Sequence, residues 1–148
     1  MALQVVHVDE IDIAVPPERV YAHRLDFFEL AKINPNVANI ERTDGGTEPG
    51  VGAVYKFDTT IEGMGTMPTT LTVTEAEDPG TVSNVMDAGL PARETTTFTP
   101  AGDGTHVRFE VTIDLPDGAE GLEDMVREST AKNVRLELEK MKTLLEST

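Results

Sequence analysis

The chain contains no cysteine and no tryptophan. Without cysteine, disulfide staples and thiolate chemistry are excluded, so stability must come from packing. Rings are scarce as well: two Tyr and five Phe in 148 residues. Positive charge is in short supply, with 12 Lys and Arg against 27 Asp and Glu, a formal net charge of −15. Such a surface repels phosphate backbones and anionic lipid, so no nucleic-acid partner is expected. Long apolar runs are missing too. The longest uncharged stretch, residues 63–74, has 12 residues and is rich in Thr, so no membrane insertion is expected. The opening M-A-L-Q-V-V-H lacks the charged and apolar segments of a signal peptide, which points to the cytoplasm. There is no Ser nucleophile elbow and no phosphate-binding Gly loop. His7, His23 and His106 fall on separate elements without metal-ligand spacing, so neither metal nor cofactor is expected.

The acids are spread along the chain rather than gathered in a tail, and only five residues are Lys. A high-salt cytoplasm favours this pattern, because salt screens self-repulsion; an acidic protein of ordinary habitat is the alternative. The length suits one domain, residues 1–148, able to bury a core.

Periodicity predicts a strand over 3–15, where Ile11, Ile13 and Val15 alternate with Asp12 and Ala14. Pro16 and Pro17 suit a first helical turn, and Glu18 suits its dipole. Asp26 is placed to cap a second, short helix over 27–33, which Pro35 ends by forcing Asn34 out of helical geometry. Strands are then predicted over 37–41, 51–61, 69–77, 81–87, 92–99 and 106–114, with 63–68 as a loop and Asp78-Pro79-Gly80 as a turn. The 19 Thr fit a sheet-rich chain. Asp117 and Glu120, spaced as a capping box, would open a long helix reaching Glu146. Its apolar side carries Met125, Val126, Val134, Leu138 and Met141, interrupted by Ser129, Thr130 and Asn133. Small polar residues there fit a helix lining a cavity, or side chains bonded to their own backbone.

The segments V-P-P-E-R-V-Y (15–21), D-F-F-E-L-A-K-I-N-P-N-V (26–37), P-G-V-G-A-V-Y (49–55) and G-D-G-T-H-V-R-F-E-V (102–111) carry a resemblance. In this order they resemble the START/SRPBCC superfamily, which holds polyketide cyclases, lipid carriers and related pocket proteins. The resemblance covers nearly the whole chain and implies an α+β helix-grip fold, β-α-α-β6-α. In it an antiparallel seven-stranded curved sheet wraps around the long C-terminal helix, with two short helices after the first strand. The chain departs from the pattern at Ile33, where many relatives carry Trp before Asn-Pro. Arg24 and Leu25 are shifted by one from the usual apolar position.

The implied function is binding or transport of a small hydrophobic or amphipathic molecule in an internal cavity. A cyclase/dehydratase-type enzyme and a co-chaperone-like interaction module are the alternatives. Tyr21, Phe28, Tyr55, Phe57, Phe98 and Phe109 are candidates for ligand contact or for the core. Met64 and Met67, in G-M-G-T-M, are candidates for a gate over the cavity or for an ordinary hairpin. Met86 and Met125 are further apolar candidates, and Ser129 and Asn133 polar ones. By strand alternation Asn84 shares a face with Val82 and Met86, and Glu94 with Thr96 and Phe98. Asn84 and Glu94 would then anchor a ligand, unless Glu94 lies in water at its strand end. His23 and Glu94 are the candidate acid/base residues, with Tyr55 a further one.

Overall fold

The computed structural model describes residues 3–61 and 63–148. Seven strands form one antiparallel sheet: β1 (Leu3–Ile13), β2 (Val37–Arg42), β3 (Val54–Ile61), β4 (Gly65–Glu77), β5 (Thr81–Asp87), β6 (Pro91–Ala101) and β7 (Gly104–Leu115). Their spatial order is β1-β7-β6-β5-β4-β3-β2, so β2 to β7 form a meander and β1 closes against β7. Between β1 and β2 lie α1 (Pro17–Leu25) and a 3-10 turn, Phe27–Glu29, that runs into α2 (Leu30–Ile33). A second 3-10 turn, Glu120–Leu122, precedes the 24-residue α3 (Glu123–Glu146). The sheet curves around α3, the helix-grip arrangement expected from the sequence. Among the described residues, no helix is long and apolar enough to cross a membrane.

Local chemistry explains the junctions. The Asp26 carboxylate accepts from the Phe28 N–H at 3.1 Å, forming the expected cap. Asn34 takes extended geometry ahead of Pro35 (φ −131°, ψ 106°), which stops α2. Register shifts between Ala38 and Glu41, and between Val73 and Glu75, mark bulges that bend the sheet. Asn39, at the first, adopts φ 60°, which Asn tolerates better than most residues.

The boundaries of β1, β3, β4 and α3 differ from the sequence reading. β1 stops at Ile13, because the Ala14 N–H turns to Glu146 Oε2 (2.8 Å) on α3. β3 starts at Val54, since residues 50–53 form a turn with positive φ at Gly50 and Gly52. The expected loop over 63–68 is largely strand: β4 begins at Gly65 and pairs Pro68 with Asp58 of β3. Proline is tolerated there because β5 pairs only from Thr70 onward, leaving this stretch with one free side. The capping box does not form. Leu122 occupies the cap position of α3 without a side-chain bond, and Glu120 instead accepts from the Gly118 N–H at 2.9 Å.

The C-terminal half of α3 is clamped to β1. Arg135 reaches Asp9 (3.0 Å) and the Glu10 carbonyl (3.3 Å), and Lys142 reaches the Asp12 carbonyl (2.7 Å). Val134, Leu138, Met141 and Leu145 bury their side chains on this half. The N-terminal half stands over the sheet without an equivalent row of apolar anchors.

Candidate functional site

The concave face of the sheet is divided by what covers it. At one end α1 and the 3-10 turn lay rings against the strands. Tyr21 meets Phe98 edge-on (centroids 6.1 Å apart), and Phe27 and Phe28 both contact Tyr55 (5.7 and 5.4 Å). Phe57, Val82 and Val107 complete this packed end. At the other end, where α3 passes over, a cavity of about 160 Å³ remains. The boundary crosses neighbouring strands in step: Phe57 is core and Thr59 and Ile61 line the cavity; Asn84 is core and Met86 lines it; Thr96 is core and Glu94 lines it.

Seven α3 residues from Met125 to Glu137 line the cavity, a span of about 18 Å at 1.5 Å per residue. The wall is graded along that axis. Met125, Met64 and Leu90 make an apolar end, where Gly63 approaches the Met125 sulfur so closely that a Cβ would sit 2.8 Å from it. Asn34, Glu94, Asn133 and Glu137 make a polar end. Ser129 and Thr130 lie between, on the cavity wall.

The polar end is built around Arg24, which α1 drives into the interior with 4% of its side chain exposed. Its Nη2 lies 3.5 Å from Glu94 Oε1, its Nη1 3.4 Å from Glu137 Oε2, and its Nε donates to Thr96 Oγ1 at 3.2 Å. The guanidinium lies over both the Phe27 and the Phe109 ring, 5.2 Å from each centroid, a desolvated cation–π arrangement. Asn84, buried behind the wall, donates to Glu94 Oε1 at 3.0 Å. Asn34 donates to Glu137 Oε1 at 3.2 Å and receives the Asn36 N–H at 2.9 Å. Asn36 in turn donates to Asn133 Oδ1 at 3.1 Å. One cation thus serves two carboxylates whose side chains are only 14% and 12% exposed. Burial pushes the Glu137 carboxyl above its ordinary range and Glu94 adds to the rise; Arg24 and Asn34 oppose it.

The structure sorts the sequence candidates. Met64, Met86, Glu94, Phe109, Met125, Ser129 and Asn133 line the cavity. Tyr21, Phe28, Tyr55, Phe57 and Phe98 do not: α1 and the 3-10 turn cover their ends of the strands, and Phe28 is 45% exposed. Asn84 orients Glu94 from behind rather than facing the cavity. Met67 packs against Gly89, whose added Cβ would lie 2.8 Å from its methyl. Glu94 is not the solvated strand-end carboxylate that its sequence allowed, since its side chain is mostly buried and lies on the cavity wall. His23 is buried away from the cavity among α1, the 3-10 turn and α2, with Nε2 unpartnered and Nδ1 3.7 Å from Glu29. Burial lowers its pKa, and the residue is not among those that line the cavity. Among the described residues there is no cluster of three or more His, Cys, Asp or Glu able to hold a metal.

Sequence reasoning missed Arg24 as a site residue, and also Asn34 and Glu137. The one-residue shift of Arg24 from an apolar position was the signal for the first. Glu137 had a weaker one, standing one turn from Asn133 with Val134 and Leu138 beside it.

Residues 4–146 match the family model described as polyketide cyclase / dehydrase and lipid transport. Among solved structures, the chain is similar to a START superfamily protein from Mycobacterium smegmatis, with 14% identity over 96% of this chain and 97% of that one and a TM-score of 0.77. It is likewise similar to Ara h 8.0201 (18% identity, 98% and 99% coverage, TM-score 0.76). A third likeness is to the di-domain ARO/CYC BexL from the BE-7585A biosynthetic pathway, at 21% identity and TM-score 0.77, covering 97% of this chain and 50% of that one. At these identities the likeness is one of fold. No curated protein matches the chain significantly.

Proposed function

The chain belongs to the polyketide cyclase / dehydrase and lipid transport family, and from that premise we propose that it binds one small, mainly apolar molecule between α3 and the sheet. The observation that carries this reading is the graded cavity, apolar at Met64, Leu90 and Met125 and polar at Glu94 and Glu137. Such a mix, mostly apolar with a few convergent polar groups, is what ligand sites present. Its volume of about 160 Å³ suits a single ring with a short chain, since engineered cavities of about 150 Å³ hold benzene. Affinity would come from apolar burial, and orientation from the polar end. A protein-docking module would have no need of such a space.

The test is to purify the protein in high salt, extract it with organic solvent and analyse the extract by mass spectrometry against a salt-matched control. Thermal shifts with a panel of apolar ligands accompany it. A stoichiometric small molecule, or stabilisation that Ser129→Phe abolishes by filling the cavity, is the expected result. An empty extract with no stabilisation by any ligand would overturn the reading.

The Glu94–Glu137 pair favours a second reading, an enzyme of the cyclase/dehydratase type. Two carboxylates that share one buried cation, with the Glu137 carboxyl pushed up by burial, resemble the pairing of a general acid with its base. Glu137→Gln would then abolish turnover of a bound substrate while leaving its affinity within a few-fold. Unchanged turnover would remove this reading.

A further inference from the structure

Granted a ligand in the cavity, the polar end also states what kind of head group it accepts. Arg24 does not line the cavity; the two carboxylates that it serves do. Its guanidinium is spent on Glu94, Glu137 and Thr96 and covered by the Phe27 and Phe109 rings. A ligand entering from the Met125 end therefore meets carboxylates, with the Arg24 guanidinium shielded behind them. The end carries one positive and two negative formal charges in a low-dielectric setting, where like charges repel far more strongly than in water.

The hydrogen bonding is also unfinished in a definite sense. Both bonds to Glu94, from Asn84 and Arg24, land on Oε1. Among the described residues nothing donates to Glu94 Oε2, and the side chain, 14% exposed, lines the cavity. An acceptor so placed is satisfied by a donor on the ligand. Asn133, whose oxygen already takes the Asn36 amide, lines the same cavity, and among the described residues nothing accepts from its own N–H groups. A hydroxyl is the group that both donates and accepts.

We propose that the cavity selects a neutral ligand bearing a hydroxyl, alcohol or phenol, which donates to Glu94 Oε2 and accepts from Asn133, and that it rejects carboxylates and phosphates. Free fatty acids and phosphorylated lipids are thereby disfavoured, whatever their chain length. The raised pKa of Glu137 agrees: burial first, and then the Glu94 charge, disfavour ionisation at this end.

The experiment uses three probes of one shape: propylbenzene, 4-propylphenol and 4-propylbenzoate, titrated calorimetrically into the intact protein slightly above neutral pH. 4-Propylphenol should bind at least tenfold more tightly than 4-propylbenzoate. In Glu94→Gln, which puts a donor where the acceptor was, that ratio should fall below threefold. Circular dichroism checks that the variant is folded; should it not be, Glu137→Gln serves, lowering the negative charge at the same end and narrowing the ratio. Binding of propylbenzene with 4-propylbenzoate equal to or tighter than the phenol would overturn this inference and leave the ligand-site reading intact. A preference for the phenol that persists unchanged in a folded variant would also overturn it. Failure of all three probes to bind would remove both.

Discussion

Removing the Arg24 guanidinium would leave two carboxylates in the interior without a cation. Breaking a buried ion pair from one side costs about 3–5 kcal/mol, because the remaining charge is uncompensated. Arg24→Met is expected to lose stability in that range in urea unfolding at slightly alkaline pH. The loss should be smaller in mildly acidic buffer, where Glu137, its carboxyl already pushed up by burial, takes up a proton more readily. Adding Glu94→Gln and Glu137→Gln to Arg24→Met should recover most of it; no recovery would show that Arg24 acts through ring packing alone. The pKa values of His106 and His23 are shifted in opposite directions. Glu10 and Asp12 both bond to the His106 ring, at 2.9 and 2.7 Å, and raise its pKa. Its stabilising contribution is therefore full below the ordinary His range, near 6.5, and is lost as pH rises through the raised value. Burial lowers the pKa of His23, whose neutral form is favoured in the fold; that contribution holds above the ordinary range and is lost as pH falls through the lowered value. Nuclear magnetic resonance titration should show His106 changing charge at a distinctly higher pH than His23, and the reverse order would refute the assignment. None of this was legible in the sequence. A histidine near two acids reads the same whether the strand pairing puts them together or apart.

At the scale of elements, α3 divides its work between its two halves. The C-terminal half is held to β1 by Arg135 and Lys142, and to Ala14 just beyond it by Glu146, and buries the apolar stripe. The N-terminal half gives up packing to keep the cavity. Ser129→Leu should therefore stabilise the protein by about 1 kcal/mol, through better helix propensity and buried apolar area, while weakening any cavity ligand at least tenfold. Thermal unfolding and ligand titration on the same sample check both. A variant that binds as before would mean that Ser129 is not part of the ligand wall. The strand and helix order was readable because each element has its own period and its own punctuation. Asp26 capping the 3-10 turn and Pro35 ending α2 are local effects that any context preserves. The failures were at places where a remote partner decided the outcome. Pro68 sits in a strand because β5 stops short of it, and α3 begins at Glu123 without the Asp117–Glu120 box.

At the scale of the molecule, a net charge of −15 on a chain of 148 residues means strong self-repulsion. At physiological ionic strength the screening length is about 8 Å, and at 1 M salt about 3 Å. The midpoint of thermal unfolding should therefore rise as KCl goes from about 0.1 to 2 M. Each 1 kcal/mol gained corresponds to about 2–4 °C for a domain of this size. A midpoint that stays flat or falls would show that the acidic surface carries no salt-dependent cost.

The sequence by itself determined the helix-grip order, because hydrophobic period, proline and glycine act within a few residues of where they stand. It determined the strong acidity and the polar interruption of α3 in the same direct way. Only the tertiary structure decided where the cavity lies and which residues face it. Phe98 and Glu94 alternate identically along β6, yet one is covered by α1 and the other is left to the cavity under α3. The joining of Arg24 from α1, Glu94 from β6 and Glu137 from α3 likewise needed the folded chain. These residues are 70 and 113 positions apart from Arg24, and no local pattern records a charge balance assembled across such distances.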